Sequence, residues 1–387
     1  MEELRARAWA DIDLGALEHN YRALRAPLPR GCRFLGVVKA DAYGHGAVPV
    51  ARKLKELGAE YLAVACVSEA AELRTAGVGG PILILGATPL EQAGQLLELD
   101  LTQNVPDLET GRALSAAARA AGKKLKVHVK VDTGMGRLGF LAGGGDLGGA
   151  VEEIAALCAL PGLEAEGIFT HFADADGSEE YTMGQFTRFL DVLRGLEERG
   201  VTFQIRHCAA SAAVLNYPCT YLDMVRPGIA LYGHYPAPGC EGLDGPGLRP
   251  VMAFRARVAA VRSLPAGSCI SYGRTHTLTR DSRLAVLGVG YADGLPRLLS
   301  NRGEVLLRGR RCPIVGRVCM DLCMVDVTDV PEAAVGDTAT LWGPELPFEE
   351  KADAFLIDIP TVLITRHFLV AINGTVGGRL AGFARCV

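Results

Sequence analysis

Lys39 ends a short apolar run, FLGVVK, and a tyrosine follows it four positions later in KADAYGHG. A lysine at the end of a buried strand is most often a solvated turn residue. In a cleft, however, desolvation lowers the pKa of the amine and makes it a nucleophile or a Schiff-base former. This stretch by itself leaves both interpretations open.

Polar side chains also follow several later apolar runs. Lys130, Asp132 and Arg137 lie in KVDTGMGRLG, His171 in FTHFADAD, Ser211 in HCAASAA, and Arg226 with Gly228 in VRPGIALYG. Singly, each is more often a packing or turn residue than a catalytic one. If the runs are strands of a (β/α)8 barrel, their carboxyl ends share one face, and barrel enzymes carry their active sites there. Together these residues therefore favour a site.

The elements that must position these residues alternate up to about residue 235. Eight β-rich runs lie at 34–38, 61–66, 81–86, 101–105, 124–131, 163–170, 203–208 and 222–233. Helical segments rich in Ala, Leu and Glu, such as EAAELRTAG, separate most of them. No Gly-x-Gly-x-x-Gly follows the first run, which argues against a dinucleotide-binding fold. We therefore predict an α/β chain with an N-terminal (β/α)8 TIM-type barrel rather than an open doubly wound sheet.

The pattern changes after the Pro- and Gly-rich stretch at 235–250. Strand-like runs separated by turns, with few helical patterns, dominate the rest of the chain. We predict two domains, a barrel at 1–238 and a mostly β C-terminal domain at 239–387. The first residues of the chain are expected to join the β domain.

Composition limits the classes of function. The net charge of −4 gives no basic field for nucleic acid or anionic membranes, and we find no apolar run long enough to span a bilayer. The N-terminus lacks the apolar core of a signal peptide. The 11 cysteines are scattered, without a Cys-x-x-Cys pair or metal spacing of histidines. We expect a reduced cytoplasmic protein without a metal site.

The constellation suggests a phosphate-bearing cofactor bound covalently to lysine. Ser211, Gly228 and Ile229 can offer a hydroxyl and backbone N–H groups to a phosphate, and Tyr43 lies one helical turn beyond Lys39. Arg226 only donates hydrogen bonds, so if it faced a pyridine nitrogen it would keep that nitrogen unprotonated.

Seven motifs of the chain resemble, in order and spacing, those of the alanine racemases, pyridoxal-phosphate enzymes with an N-terminal barrel and a C-terminal β domain. They are VVKADAYGHG, KVDTGMGRLGF, THFADAD, VRPGIALYG, ISYGRTH, GYADG and VGRVCMD. The resemblance covers roughly residues 8 to 343 and does not include the final stretch, 368–387. It implies an enzyme that interconverts L- and D-alanine and supplies D-alanine for peptidoglycan.

The resemblance also implies a role for each matched residue. Lys39 would carry pyridoxal phosphate as an internal aldimine. Its phosphate would contact Tyr43, Ser211, Gly228 and Ile229, its ring nitrogen Arg226, and its ring surroundings His171. The substrate would contact Arg137, the backbone of Met320, and Tyr291, while Asp321 would join the catalytic residues. Lys130 is a candidate for carbamylation, which would place a negative group beside Arg137.

Racemisation requires two acid–base groups on opposite faces of the substrate Cα. Lys39 would serve one face and Tyr272, in SYGRT, the other. A phenol has an ordinary pKa of about 10, so Tyr272 needs a neighbour that stabilises its anion, and His171 is the candidate. In this family the tyrosine comes from the neighbouring subunit, which implies a homodimer with active sites shared between subunits.

The chain departs from the family pattern at three positions. Ala210 stands where asparagine is frequent, His276 where an aromatic residue is common, and Thr361 where a tyrosine lines the substrate pocket. The smaller Thr361 would leave room for a hydroxymethyl group, which predicts a side activity on serine beside alanine. The alternative is that Phe355 or Phe368 fills the space and keeps the pocket tight.

Three other functions compete with a racemase. A decarboxylase on the same barrel would need a Gly-rich phosphate loop and a cysteine motif in the β domain, and we see neither in the sequence. A non-catalytic pyridoxal-phosphate carrier would resemble the barrel alone, which leaves 251–343 unexplained. A cofactor-free Schiff-base aldolase would have no evident use for the second domain.

Overall fold

The computed structural model describes residues 6–143, 147–240 and 247–347, together with the backbone of 369–373. Thr361, Phe355 and Phe368, on which the serine prediction depends, lie outside the described residues. The chain divides into two compact units, one of Leu17–Arg249 and one that combines Met1–Ala16 with Pro250–Val387. The first strand, β1 (Ala8–Asp13), therefore belongs to the unit that contains most of the C-terminal part.

Parallel strands in the unit Leu17–Arg249 form the predicted barrel. They are β2 (Arg33–Val37), β3 (Tyr61–Val64), β4 (Ile82–Ile84), β5 (Thr102–Val105), β6 (Leu125–Asp132), the short β7 (Phe140–Leu141), β8 (Leu163–Phe169), β9 (Ile205–His207) and β10 (Met224–Val225). The order is β10-β2-β3-β4-β5-β6-β8-β9, with β7 paired to β6. A parallel bridge between Ala210 and Arg226 links the last two strands and closes the circle. The barrel prediction is confirmed.

Short, nearly continuous apolar runs buried on both faces explain why these segments form strands of a parallel sheet. Leu35 and Val37 of β2, Tyr61 and Ala63 of β3, and Leu83 of β4 belong to one buried cluster. Residues two apart on a strand point to the same face, so each short strand contributes to one shared core. The packed core of the barrel therefore holds the polar residues at the strand ends in fixed positions.

Helices connect the strands. They are α1 (Leu14–Arg25), α2 (Lys39–Tyr43), α3 (Ala47–Glu56), α4 (Val67–Thr75), α5 (Ala93–Glu98), α6 (Leu108–Ala120), α7 (Leu147–Cys158), α8 (Glu179–Glu197) and α9 (Ser211–Asn216). Of these, α2 is a short turn with positive φ at residues 40–43 rather than a regular α-helix. Side chains cap two of them: Asp107 accepts from the N–H of Thr110 at α6, and Ser178 from that of Tyr181 at α8. In the described part of the chain, no helix is both long and apolar enough to cross a membrane.

The other unit, called the β unit below, is mostly β, as predicted, and most of its strands pair antiparallel. Besides β1 it contains β11 (Met252–Leu264), β12 (Cys269–Ile270), β13 (His276–Thr277), β14 (Ser282–Leu287), β15 (Glu304–Leu307), β16 (Arg310–Pro313), β17 (Cys323–Asp326), β18 (Thr338–Trp342) and β19 (Leu369–Asn373). The long strand β11 pairs with β1, β14 and β18, and β19 pairs in parallel with β1. A core that includes Phe254 and Trp342 lies within this unit.

Candidate active site

The carboxyl ends of the barrel strands bring together the polar residues that the sequence predicts. Lys39 follows β2, Lys130 and Asp132 end β6, His171 follows β8, Ser211 follows β9, and Arg226 follows β10. Lys130, Ser211 and Arg226 are buried. A buried cluster of cationic and hydroxyl groups at this face of a barrel is typical of an active site that binds an anion.

Residues 40–43, directly after Lys39, form a left-handed turn. Ala40, Asp41, Ala42 and Tyr43 all have φ between 52 and 56°. This conformation costs an L-residue roughly 1–2 kcal/mol, and runs of several such residues are rare. The spacing of Lys39 and Tyr43 predicts an ordinary helical turn, so the structure gives the opposite hand. Neighbouring side chains must therefore stabilise this turn.

His45 stabilises the end of the turn. Its buried ring lies against Tyr232, with ring centroids 4.6 Å apart, and its Nδ1 donates to the carbonyl oxygens of Ala42 (3.0 Å) and Tyr43 (2.9 Å). Burial lowers the pKa of His45 to about 3, so the ring is neutral at physiological pH. Because carbonyl oxygens only accept, the neutral ring carries its proton on Nδ1.

Glu69, in the first turn of α4, stabilises the start of the turn. Its Oε1 accepts from the N–H of Ala40 and its Oε2 from the N–H of Ala65, each at 2.7 Å. One carboxylate thus joins the left-handed turn to the end of β3. Its charge also favours the protonated form of Lys39, although burial and Arg137 lower the pKa of that lysine overall.

Glu69→Gln should destabilise the protein by about 1–3 kcal/mol, because an amide accepts one of these two bonds and turns a donor towards the other. Thermal unfolding of the purified variant measures the effect. Glu56→Gln, which changes an exposed carboxylate at the end of α3, is the matched control. If both variants unfold at the same temperature, Glu69 does not hold the turn.

Hydroxyl and backbone N–H groups converge near Gly228. The Oγ of Ser211 accepts from the N–H groups of Gly228 (2.9 Å) and Ala230 (3.2 Å). A Cβ on Gly228 would lie 2.6 Å from the hydroxyl of Tyr43, so only glycine allows this approach. Burial raises the pKa of Tyr43 to about 12, which keeps its hydroxyl a donor. Hydroxyl and backbone N–H groups of this kind, together with the adjacent Ile229, are the donors that bind a phosphate in proteins.

Arg226 is a buried cation surrounded by neutral acceptors. Its Nη1 donates to Nδ1 of His207 at 2.8 Å. Its Nη2 donates to the carbonyl oxygens of Thr170 (2.9 Å) and Cys208 (3.1 Å), and lies 3.3 Å from Nδ1 of His171. Burial lowers the pKa of Arg226 to about 10, so the guanidinium remains protonated at neutral pH. Its orientation is fixed by four contacts.

Two lysines of this face have lowered pKa values. Burial and the charge of Arg137 lower the pKa of Lys39. Burial lowers the pKa of Lys130 much further, with additional contributions from Arg226 and Arg137. The Nζ of Lys130 lies 4.5 Å from the ring centroid of Phe169. Both amines are thus more nucleophilic near neutral pH than an ordinary lysine.

Asp132 shapes the loop that carries Arg137. Its Oδ1 accepts from the N–H groups of Gly134 (2.9 Å), Met135 (2.8 Å) and Gly136 (3.1 Å), and its Oδ2 from that of Arg137 (3.1 Å). Burial raises the pKa of Asp132, but these four donors outweigh it and lower the pKa overall. Asp132 is therefore a structural carboxylate. It fixes the backbone of the loop from which the Arg137 side chain extends.

In the β unit, the segments GYADG and VCMD bind each other through their backbones. The N–H groups of Tyr291 and Ala292 donate to the carbonyl oxygens of Cys319 and Met320, each at 2.9 Å. A Cβ on Gly290 would lie 2.3 Å from both of these oxygens, so the approach requires glycine. Tyr291 and Met320, both predicted to bind substrate, are thereby brought together.

The carboxylate of Asp321 has weaker contacts than that of Asp293, although both lie beside Arg7. Arg7 forms a bidentate pair with the buried Asp293, at 2.8 and 2.7 Å, and donates to the carbonyl oxygen of Asp321 at 3.1 Å. The Asp321 carboxylate lies 3.4 Å from the same guanidinium, and its side chain is exposed. The catalytic role predicted for Asp321 stays a prediction.

Tyr272 is the most exposed of the large apolar and aromatic side chains of the described region, at 70%. Ser271, at φ 61°, precedes it and donates its hydroxyl to the carbonyl oxygen of Arg317 at 2.7 Å. Tyr291 and Met320 are also exposed. Monomeric proteins rarely display several large apolar groups in one region, and such surfaces usually mark a contact with a partner or ligand.

Several residues that shape the site were missed in the sequence. His207 is the last residue of strand β9. Its position at the end of the β-rich run FQIRHC could have indicated that it lies near the site. Glu69 stands in the first turn after β3, where an acidic residue is also an ordinary helix feature. Arg7 lies more than 280 positions from Asp293, and nothing local indicates the pairing. The described residues contain no group of three or more His, Cys, Asp or Glu side chains placed to bind a metal.

Comparisons with known proteins agree with the two units. The family model for the alanine racemase N-terminal domain matches residues 12–236, and the model for the C-terminal domain matches 251–366. The alanine racemase of Desulforamulus reducens is 49% identical over 348 residues, which cover 89% of this chain and 92% of that protein.

Solved structures are similar over nearly the whole chain. The alanine racemase of Clostridium difficile 630 is 36% identical with a TM-score of 0.90, over 96% of this chain and 98% of that one. The alanine racemase of D-cycloserine-producing Streptomyces lavendulae is 37% identical with a TM-score of 0.90, over 97% and 99%. The resemblance carried by the seven motifs is confirmed, and the chain belongs to the alanine racemase family.

Proposed function

We propose that this enzyme interconverts L- and D-alanine with pyridoxal phosphate held on Lys39. The observation that carries the proposal is the convergence, on one face of the barrel, of a lysine of lowered pKa with a set of phosphate-type donors. A cofactor-free aldolase would use the lysine but would leave these donors without a function.

The residues of this face fit the cofactor. Ser211, the N–H groups of Gly228 and Ile229, and the hydroxyl of Tyr43 would hold its phosphate, while Arg226 would face its ring nitrogen and His171 would border the ring. When bound, pyridoxal phosphate supplies an electron sink that makes the α-proton of an amino acid removable. Because Arg226 only donates, it would leave the ring nitrogen unprotonated and so limit side reactions such as transamination.

Two groups of the protein would move the proton at Cα. The lowered pKa of Lys39 supports a role for its Nζ as acceptor or donor on one face. Tyr272 would serve the other face through its phenolic oxygen. A neutral His171 suits the role of its partner, since burial and the charge of Arg226 lower the pKa of His171 well below its usual range. The neutral ring has one N–H to donate to a phenolate.

Arg137, the backbone of Met320, and Tyr291 would bind the substrate. Lys130 would act on Arg137 after carbamylation. Its neutral Nζ would attack the carbon of carbon dioxide, so that a C–N bond forms, one C=O π bond breaks with its electron pair going to oxygen, and one N–H proton is released to solvent. The lowered pKa of Lys130 supports this reaction, because only the neutral amine is nucleophilic. The carbamate would place an anion beside Arg137 where the amine of Lys130 places none.

The enzyme would act as a homodimer with active sites shared between subunits. Support comes from the exposure of Tyr272, Tyr291 and Met320, together with the apolar Leu298 and Leu322 of the same unit. A second subunit would cover such a surface. The D-alanine would serve peptidoglycan synthesis, and the cysteine usage of the sequence supports a cytoplasmic location.

Mixing two inactive variants tests the shared site. Lys39→Ala and Tyr272→Phe subunits, combined under conditions that exchange subunits, should regain about a quarter of wild-type activity per subunit pair if random exchange yields half heterodimers, each with one intact site. Differently tagged subunits and native mass spectrometry verify the exchange. Verified heterodimers without activity would exclude a shared site.

Serine should also be racemised, more slowly than alanine. Thr361 would leave space for the hydroxyl of serine, and a site that excludes by shape alone discriminates weakly against a small added group. Incubation of the enzyme and pyridoxal phosphate with L-alanine or L-serine, followed by chiral separation, measures both rates. Thr361→Tyr should lower the serine-to-alanine ratio. Absence of D-serine in the wild-type reaction overturns the prediction, and an unchanged ratio in Thr361→Tyr shows that Thr361 is not the determinant.

A further inference from the structure

A line of hydrogen bonds leads from Arg226 into the barrel. Nη1 of Arg226 lies 2.8 Å from Nδ1 of His207, and Nε2 of His207 lies 2.8 Å from Nδ1 of His128. Nε2 of His128 lies 3.4 Å from a carboxylate oxygen of Glu166, which also accepts from the hydroxyl of Tyr61 at 2.6 Å. We call these five residues the Arg226–Glu166 chain.

The chemistry of its two ends fixes the direction of every bond in the chain. Arginine only donates, so Nδ1 of His207 accepts and its proton resides on Nε2. That N–H donates to Nδ1 of His128, whose own proton therefore also resides on Nε2 and points to Glu166. Each histidine thus has one permitted tautomer, opposite to that of His45.

The ionisation states agree with this direction. Burial, together with Arg226, lowers the pKa of His207, and burial lowers the pKa of His128, so both rings are neutral. Burial raises the pKa of Glu166, but hydrogen bonds from His128 and Tyr61 lower it overall, and the group is a carboxylate at neutral pH. Burial raises the pKa of Tyr61 as well, so its hydroxyl remains a donor.

Packing holds both rings in place. Phe169 stacks on His207 with ring centroids 4.7 Å apart and an interplanar angle of 4°. A Cβ on Gly167 would lie 2.7 Å from the ring atoms of His128, so glycine alone leaves room for that ring. In an interior without water, a buried imidazole nitrogen that lacks a hydrogen-bond partner costs folding free energy. A continuous chain of hydrogen bonds therefore holds each ring strongly in one orientation.

We propose that Glu166, acting through His128 and His207, is a positioning residue that fixes the orientation of Arg226. Arg226, which only donates, and the carboxylate of Glu166, which only accepts, require the same tautomers of His128 and His207 from opposite ends. Glu166 completes the chain, holds the His128 ring by its Nε2–H, and so keeps Nδ1 of His207 in place to accept from Arg226. This role deepens the proposed function, because Arg226 is the residue assigned to the ring nitrogen. The tautomers themselves do not depend on that function.

Side-chain ¹⁵N NMR of the full-length protein, labelled at histidine, tests the chain directly. We expect His128 and His207 to be neutral with the proton on Nε2, and His45, in the same spectrum, to carry it on Nδ1. Single His→Gln variants assign the signals. A proton on Nδ1 of His128 or His207, or a charged ring at either position, overturns the proposal whether or not the protein racemises alanine.

Two variants of Glu166 test the functional consequence. Glu166→Gln retains an acceptor oxygen for His128 and should keep both tautomers and kcat within about twofold of wild type. Glu166→Leu removes the acceptor, should change the His128 and His207 signals, and should lower kcat about tenfold, since small misplacements of a catalytic group are costly. Unchanged signals and kcat in Glu166→Leu, or equal losses in both variants, overturn the proposal. If Glu166→Leu does not fold, the wild-type tautomers and Glu166→Gln still decide.

Discussion

Lys39→Ala should abolish racemisation and the near-visible absorbance of a covalently held pyridoxal phosphate. The variant keeps the hydroxyl and N–H groups near Gly228 but lacks the proposed attachment point of the cofactor, which is also the proposed base for one face of Cα. A loss beyond about 10⁴-fold is expected, because a base alone contributes 10²–10⁴ and the covalent anchor is lost as well.

Borohydride reduction followed by peptide mass analysis gives a readout independent of activity. In the wild type, the added mass of the reduced cofactor should lie on the peptide that contains Lys39, and it should be absent in Lys39→Ala. Lys124→Ala, which changes an exposed lysine before β6, is the matched control and should behave as wild type. A modified lysine elsewhere in the chain, or near-normal turnover of Lys39→Ala, would refute the assignment.

Tyr272→Phe should lower racemisation by about 10²–10⁴-fold while cofactor binding stays intact. The variant lacks only the phenolic oxygen, so under the proposed mechanism one face of Cα would keep its base and the other would have none. Exchange of the α-hydrogen with solvent should persist for one alanine enantiomer and be lost for the other. Proton NMR in deuterium oxide measures both exchange rates separately.

Tyr217→Phe, at the end of α9, is a suitable tyrosine control for this experiment. It should racemise alanine at the wild-type rate and exchange both enantiomers. Should Tyr272→Phe do the same, the phenol is not a base, and the shared site loses its principal residue.

The barrel could be predicted from the sequence because most of its strands appear as local apolar runs. Most of the eight runs, such as FLGVV, are short and apolar, several end next to a polar residue, and the runs recur at barrel spacing. The polar residues at strand ends could be predicted to meet because the carboxyl ends of parallel strands share a face. The proximity of Ser211, Gly228 and Tyr43 also follows from this reasoning, and the phosphate-binding role of these residues stays a prediction.

The hand of the turn after Lys39 could not be predicted. Spacing of four positions indicates one turn of a helix but carries no information on its hand, and left-handed φ values for alanine are disfavoured locally. The turn exists because His45 and Glu69 form bonds to its two ends. These contacts depend on tertiary structure, which a local pattern does not encode.

The Arg226–Glu166 chain could not be predicted from the sequence either. Its members come from five separate strands or strand ends, and a lone histidine in a strand such as KLKVHVKV is more often a packed core residue. Only the barrel, by placing β6, β8 and β9 side by side, brings these side chains within hydrogen-bond distance. The pairing of Arg7 with Asp293 has the same origin in the β unit.

The proposed racemisation by two opposed bases is tested most directly by the isotope content of the first product. Wild-type enzyme with pyridoxal phosphate and L-alanine in deuterium oxide should form D-alanine that carries deuterium at Cα from the first turnovers. The remaining L-alanine should still carry protium at that stage, because one base removes the proton and a different one supplies the deuteron. D-alanine that retains the protium of its substrate would show a single base, and the absence of D-alanine would contradict the proposed function itself.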